Sequence, residues 1–325
     1  MVPNNANAPI LQLPENSPIV LPEYNLSNEQ WAAVDSLNAQ IPNLIASLDG
    51  PPTPDEVRIL YKWADKTTAR RYLTDCKWKL DAAASKLKST LQWRLHYKPH
   101  AIKLSDIEAE AKFGKMFNSG FDKTGRPILF VIPRLDHAKN PDAALKFLVW
   151  SVENTIKIMP PGIEKMSVCV DWEGLGMFNA PPIAVARKYL DTLQTHYPER
   201  LGVFCLINPS IIVTGLFNML KPAMDPITIA KVHLVTVSRK RNSPHNNNSS
   251  ISGSISNWYH SSPIISDSAS SDSSVEQSPK SSNTNISKEF SILEIISADM
   301  LPTEFGGGFN FKYEHQVYLR SISSI

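Results

Sequence analysis

The sequence predicts an α/β fold in which a helical lobe precedes a mostly parallel sheet with flanking helices. Residues 53–118 have apolar side chains at helical spacing, and after Gly120 short apolar runs alternate with helical segments. Such alternation is typical of parallel strands joined by right-handed crossovers. A Ser- and Asn-rich segment at 238–288 has few apolar groups and no period, so we expect a disordered insert within the same domain.

The helical lobe is predicted to begin at the capping box Thr53-Pro-Asp-Glu56, which places Pro at the first helical position. A second amphipathic helix is expected after Asp81. The Pro- and Asn-rich residues 1–52 are predicted as an extended arm with one short helix near Glu29 to Leu37. The predicted helical lobe spans residues 53–118. The predicted α/β domain spans residues 119–318, and the insert interrupts it.

Four strands and three helices are predicted after Gly120, because each strand is a short apolar run and each helix has an apolar face. In order, these are strand Pro127–Ile132, a helix around Leu145–Ile156, strand Met166–Val170, helix Ile183–Leu193, strand Val203–Ile207, helix Ile211–Leu220 and strand Lys231–Val237.

The uncharged run Leu201–Leu220 is long enough to be considered as a membrane span. The tripeptide Asn208-Pro209-Ser210 interrupts it, and Pro209 lacks the backbone donor that a continuous helix needs. The sequence therefore favours a strand, a turn and a helix over a transmembrane helix.

Charge is unevenly distributed, although the net charge is only +2. Residues 1–54 contain no Lys or Arg, whereas Arg58 to Lys103 contain twelve basic and three acidic residues. The balanced total argues against a nucleic-acid-binding protein. The basic stretch either contacts anionic headgroups or is a solvated helical face, and the second interpretation is favoured.

The cysteines and the N-terminus indicate a reducing compartment. Three widely spaced cysteines, Cys76, Cys169 and Cys205, form no disulfide framework, and the N-terminus has no secretory signal pattern.

The motifs of common enzyme and metal sites are absent. The sequence contains no P-loop, no complete Gly-x-Gly-x-x-Gly, no Gly-x-Ser-x-Gly and no His-Glu-x-x-His. His96 and His100 have helical spacing, but Pro99 lies between them and no carboxylate accompanies them. We therefore expect no cofactor and no metal, and a binding protein is favoured over a hydrolase or an oxidoreductase.

Several short motifs follow one another along the chain: Arg71-Tyr-Leu73, Lys77-Trp78, Trp93-Arg94, Gly120-Phe-Asp-Lys-Thr-Gly-Arg-Pro127, Val170-Asp171 with Gly174, His196-Tyr-Pro-Glu-Arg-Leu-Gly202, Ile207-Asn-Pro209, Lys221-Pro222, Asp225-Pro226 with Thr228 and Lys231, and Leu301-Pro302 with Phe305-Gly-Gly307. Together and in this order they resemble the CRAL-TRIO lipid-transfer family, specifically the fungal phosphatidylinositol transfer proteins. The resemblance covers about residues 55–237 and 289–318. Asn179-Ala-Pro-Pro182 and the ending Phe311–Tyr318 are similar to the subgroup linked in yeasts to azole tolerance and lipid droplets.

The resemblance implies an apolar lipid pocket closed by a gate helix, here about Pro209 to Ala223. This segment leaves no polar face, so the helix is either fully buried or in contact with lipid on one side. By strand alternation Met166, Val168 and Val170 share a face. The expected pocket and gate residues are Met166, Val168, Val170, Ile212, Leu216, Phe217 and Leu220.

Members of the family that carry phosphatidylinositol hold its headgroup with a Glu, a Thr and a Lys, which match Glu199, Thr228 and Lys231. Lys77 is a further candidate, because Cys76 stands where the family has a phosphate-binding Arg. The alternative from the residues alone is that Glu199 and Lys231 are a structural ion pair.

A second departure concerns phosphatidylcholine, which some members bind through a Ser-x-Thr motif. The matching residues here are Met166-Ser-Val168. An apolar face in place of the motif makes a sterol or another weakly polar lipid the expected second ligand.

The function implied is phosphatidylinositol transfer by a cytoplasmic carrier that binds one lipid and contacts membranes transiently, at the endoplasmic reticulum, lipid droplets or plasma membrane. The alternative is a lipid-responsive adaptor or regulator that signals through the insert, where Ser243, Ser262 and Ser278 precede proline and suit phosphorylation. The sequence leaves the oligomeric state open.

Overall fold

The computed structural model describes residues 8–136, 140–174, 182–237 and 290–325. The helices are α1 Asn28–Ala46, α2 Pro54–Trp63, α3 Lys66–Asp75, α4 Leu80–Tyr97, α5 Leu104–Ala111, α6 Pro141–Lys157, α7 Ile183–His196, α8 Ile211–Leu220, α9 Pro226–Ile229 and α10 His315–Ser323. The strands are β1 Met116–Phe121, β2 Pro127–Val131, β3 Met166–Asp171, β4 Leu201–Ile207 and β5 Val232–Val235. The predicted disordered insert 238–288, with its three Ser-Pro sites, lies outside the described residues, as does Asn179.

One five-stranded sheet, ordered β1-β2-β3-β4-β5, organises the α/β domain and confirms the predicted fold class. Strands β2 to β5 are parallel, and β1 pairs antiparallel with β2. Leu201–Leu220 folds as β4, a turn and α8, as predicted. Within the described part of the chain, no helix is both long and apolar enough to cross a bilayer.

Strand β1 corrects the predicted end of the helical lobe at residue 118. Its sequence, MFNSGF, has no β-branched residue and two consecutive polar residues, so it lacks the usual strand signal. Both polar residues are buried, and Asn118 is satisfied by distant partners: its side-chain amide donates to Thr155 Oγ1 (2.7 Å), and its backbone N–H donates to Tyr318 Oη (3.0 Å). These contacts exist only in the folded domain.

Tyr318 belongs to α10, which the sequence analysis did not predict. The helix continues to Ser323, beyond the predicted domain end at residue 318, and buries Tyr318, Leu319 and Ile322 in the main core. The same core covers one face of the sheet, where Phe130 stacks on Phe305 with 4.7 Å between ring centroids.

The short helix predicted near Glu29 to Leu37 is the first part of α1, which continues to Ala46 and packs in the helical lobe. The predicted start of the lobe at residue 53 is therefore too late. A capping box of Ser27 and Gln30 starts this helix, and its buried side chains pack in one core with those of α2 to α4. The helix contains Pro42, and the prolines around it favoured an extended interpretation. Ile10 is also buried, and its carbonyl accepts from the Gly120 N–H (2.8 Å).

Three arginines of the basic stretch join the lobe to the sheet domain. Arg70 and Arg71 both donate to the Glu164 carboxylate, with 3.2 Å between Arg71 Nη1 and Glu164 Oε2. Arg94 donates to both oxygens of Glu153 (2.8 and 3.2 Å). All three arginines are buried, so the favoured interpretation of a solvated basic face is wrong for them.

Glu153 remains ionised inside this interface. Burial alone would raise its pKa, but the charge and hydrogen bonds of Arg94, together with the Tyr197 hydroxyl (2.7 Å), outweigh burial and lower the pKa.

Glu164→Ala is expected to lower the free energy of unfolding by about 3–5 kcal/mol, because it leaves two buried arginines without their carboxylate. Arg58→Ala breaks an exposed ion pair with Asp55 (3.0 Å) and should change stability by less than about 1 kcal/mol. Urea denaturation followed by circular dichroism measures both, and equal effects would contradict the structural role of Glu164.

Candidate functional site

A cavity of about 730 Å³ lies against the face of the sheet that the main core does not cover. Alternate residues of four strands form its floor, in two rows that follow the strand register. The first row is Leu129, Val168, Phe204 and Val232, and the second includes Val131, Val170 and Leu206. The intervening residues, such as Cys169 and Cys205, point into the main core on the other face.

Helices α6, α7 and α8 form the walls of the cavity. The lining residues of α7 are Val185, Ala186, Tyr189, Leu190, Leu193 and Gln194. None of the α7 residues is fully buried, although the helix has an apolar face. This is the expected result when a helix covers an open volume, since cavity-lining atoms have no protein neighbours on one side.

The structure brings six of the seven predicted pocket residues to the cavity. Met166, Val168, Val170, Leu216, Phe217 and Leu220 line it. The prediction for Ile212 is wrong, because its side chain lies outside the lining and is 38% exposed. Val213 lines the cavity instead and completes the spacing i, i+3, i+4, i+7 with Leu216, Phe217 and Leu220. That spacing was readable from the sequence.

The opposite face of α8 is largely apolar and faces solvent. Ile211 is 91% exposed and Met219 is 66% exposed, while Asn218 is the exposed polar side chain of this face. Ile227 of the following helix α9 is exposed as well. The helix is therefore not buried all round: one side lines the cavity and the other is open to solvent.

Polar residues gather at the end of the cavity where strands β4 and β5 begin. Glu199, Thr228 and Lys231 all line this end. Lys231 Nζ lies 3.9 Å from Glu199 Oε2, while Lys165 Nζ lies 2.9 Å from the same oxygen. The backbone N–H of Lys231 donates to the carbonyl of Thr228 (3.2 Å), so the turn after α9 holds these two residues together.

The lobe contributes Lys77 to the same end of the cavity. Lys77 Nζ lies 3.3 Å from Asp225 Oδ2, and both residues line the cavity. Cys76 stands where the family has a phosphate-binding Arg, and Arg71 does not take over that role. Glu164 and Thr68 hold the Arg71 guanidinium inside the interface between the lobe and the sheet domain. Lys77 is therefore the lobe cation at the site.

Backbone strain marks this polar end. Lys77 and Glu199 both have positive φ (53° and 58°), which is uncommon for residues other than glycine. Such conformations cluster at ligand sites, where surrounding contacts maintain them. Burial lowers the pKa of Lys231, and the neighbouring Glu199 carboxylate partly opposes this effect.

The sequence did not point to several charged residues near the cavity, among them two lysines. Lys165 contacts Glu199 at the polar end, and Lys115 lines the cavity near the end of β2, paired with Glu110 and Asp136. No local motif marks either lysine. Among the described residues, no group of three or more His, Cys, Asp or Glu side chains is placed to hold a metal ion.

Comparisons with known proteins identify the class. The family model for the CRAL/TRIO domain matches residues 111–243. The phosphatidylinositol transfer protein PDR17 of Saccharomyces cerevisiae is 30% identical over 236 residues, which are 66% of this chain and 67% of that protein. The chain belongs to the CRAL/TRIO family, as its motifs indicated. Its assignment to the azole-linked subgroup stays a prediction.

Other relatives differ more in length. A CRAL-TRIO domain-containing protein of Schizosaccharomyces pombe is 30% identical over 229 residues, which are 70% of this chain but only 23% of that protein. The SEC14 cytosolic factor of Candida glabrata is 25% identical over 191 residues, which are 53% of this chain and 63% of the factor. The crystal structure of Sfh5 has the same fold, with a TM-score of 0.50, 16% identity, and coverage of 65% of this chain and 82% of that one.

Val168→Trp is expected to weaken binding of a fluorescent acyl-chain probe by more than about tenfold, because the indole would occupy the middle of the cavity floor. Val168→Ala enlarges the same place and should retain binding. Fluorescence titration measures affinity, and thermal unfolding shows that both variants fold. Unchanged binding by the folded Trp variant would show that acyl chains do not enter this cavity.

Proposed function

We propose that this protein is a phosphatidylinositol transfer protein that holds one lipid in the cavity and exchanges it between membranes. The observation that carries the proposal is the convergence of Lys77, Glu199, Thr228 and Lys231 at one end of a largely apolar cavity. The name of PDR17 as a phosphatidylinositol transfer protein supports it. The proposal involves no covalent chemistry.

A lipid that crosses water must keep its acyl chains out of contact with water, and a cavity in the carrier achieves this. Burying a CH₂ group stabilises by about 0.8 kcal/mol, so an exposed chain of roughly sixteen carbons costs on the order of 12 kcal/mol. The apolar floor and the helical walls would remove that cost in transit. Delivery requires the wall to open at a membrane.

The polar end has the chemistry of an inositol phosphate site. Lys231 and Lys77 carry ammonium donors for phosphate, the Thr228 hydroxyl donates or accepts, and Glu199 accepts from ring hydroxyls. The competing interpretation is a structural ion pair between Glu199 and Lys231. Their 3.9 Å separation exceeds hydrogen-bond distance, which favours a Lys231 ammonium with donors left for a ligand.

The second ligand we propose is a sterol or another weakly polar lipid. Met166, Val168 and Val170 form an apolar strip along β3, and none of them offers a donor to a phosphocholine group. Burying a charged or strongly polar group there without partners would be unfavourable.

We assign the exposed face of α8 to transient membrane contact. Ile211 and Met219 on this face, with Ile227 nearby, suit shallow insertion into the headgroup region. Lys221 follows α8 directly and can face anionic lipids. The same helix lines the cavity, so contact with the membrane and opening of the cavity would be coupled.

The variant Glu199→Ala with Lys231→Ala should lose phosphatidylinositol transfer between vesicles by more than about tenfold, because two charge-assisted contacts disappear. It should retain the acyl-chain probe, since the apolar cavity is intact. Asp55→Ala with Arg58→Ala, which removes an exposed pair in the lobe, is the matched control. Wild-type transfer by the site variant would refute the headgroup assignment, and no lipid transfer by the wild type would refute the carrier function.

Ile211→Asp with Met219→Asp should reduce co-sedimentation with anionic vesicles and slow transfer several-fold, because two carboxylates would replace the apolar contact. Lipid already in the cavity should stay bound, since neither side chain lines it. Ile183→Asp, an exposed isoleucine at the start of α7, is the control. Equal slowing by that control would contradict a specific role for α8.

A further inference from the structure

A third lysine lies beside the candidate headgroup residues, although it does not line the cavity. Lys165 immediately precedes β3, and its Nζ lies 2.9 Å from Glu199 Oε2. Lys231, which does line the cavity, lies 3.9 Å from the same oxygen. Of the two lysines, Lys165 is therefore the closer partner of the Glu199 carboxylate.

The parallel sheet explains why these three side chains meet. Lys165, Glu199 and Lys231 lie just before β3, β4 and β5, which are neighbours in the sheet. Parallel strands begin at the same edge, so the residues before them form a row. The carboxylate of Glu199 occupies the middle of this row, between two ammonium groups.

We propose that Lys165 is a positioning residue for headgroup selectivity: it holds the Glu199 carboxylate, so that the Lys231 ammonium stays available for the phosphodiester of the lipid. This inference rests on the proposed function and deepens it. Without Lys165, Glu199 would have Lys231 as its closest cation, and the two would draw together because their attraction increases as the distance falls. The ammonium donors of Lys231 would then bind the Glu199 carboxylate and would not be available to the lipid.

The charges around Lys231 match this assignment. Four charged groups act on it: Glu199, Asp225, Lys165 and Arg126. Glu199 is matched by Lys165, and Asp225 is matched by Lys77 at 3.3 Å. Arg126 lies 3.8 Å from Asp122. Lys231 is left with the longer contact to Glu199 (3.9 Å), so its ammonium group can also serve the single negative charge of a phosphodiester.

The titration of Lys231 supports the same arrangement. Burial lowers its pKa, Glu199 and Asp225 oppose this effect, and Lys165 and Arg126 add to it. Removing Lys165 would eliminate one repulsion and bring Glu199 closer, so the pKa of Lys231 would rise. A residue with a purely structural role would not produce that shift.

The test compares Lys165→Met with Lys165→Arg, Lys231→Ala and the exposed control Lys123→Met in the full chain. The assay is transfer of fluorescent phosphatidylinositol from vesicles of phosphatidylcholine, at limiting donor lipid and as a function of pH. We expect Lys165→Met to transfer roughly three- to tenfold more slowly, the Arg variant to recover most of the rate, and the control to match the wild type. The alkaline decline of the Met variant should move to higher pH.

Three outcomes overturn the inference, and they are distinguishable. Wild-type transfer by Lys165→Met, with loss in Lys231→Ala, would refute the role of Lys165 and leave the headgroup site in place. Lys165→Met could instead lose binding of the acyl-chain probe as strongly as it loses phosphatidylinositol transfer, with a lowered Tm and an unshifted pH profile of transfer. That result would show that Lys165 has a structural role only. Wild-type transfer by Lys231→Ala would refute the headgroup assignment itself, and the role of Lys165 with it.

Discussion

The structure depends on one face of the sheet that protein side chains cover only in part. Helices normally cover both faces of such a sheet and pack directly on it, because close packing and burial stabilise the fold. Here the main core covers one face, while α7 and α8 lie over the other and leave a cavity of about 730 Å³. The apolar floor therefore lacks the contacts that a bound lipid would supply.

The lobe is attached by buried charge pairs, and this attachment determines what reaches the polar end of the cavity. The buried pairs engage three cations that would otherwise be available to a membrane surface. Arg70 and Arg71 pair with Glu164, and Arg94 pairs with Glu153. Buried pairs of this kind are costly to break, so they hold the lobe in one orientation. Lys77, at the end of α3, lies in that orientation beside Asp225.

The proposed gate helix and the proposed headgroup residues follow one another closely in the chain. After α8 a short turn, Lys221–Ala223, leads to α9, which carries Thr228, and then to Lys231 at the start of β5. A displacement of α8 would therefore be transmitted to the polar end over very few residues. If the proposed function holds, this connection would let occupancy of the headgroup site and opening of the cavity influence each other.

The sequence by itself determined the elements whose signal is local: strands β2 to β5, the bounds of α8 and the capping box of α2. The family resemblance pointed to Glu199, Thr228 and Lys231, which line the same end of the cavity. Only the tertiary structure decided β1, whose polar residues depend on Thr155 and Tyr318, and the second half of α1, where packing stabilises a helix that contains Pro42. The same holds for Lys165, since its meeting with Glu199 depends on strand order, which no local pattern encodes.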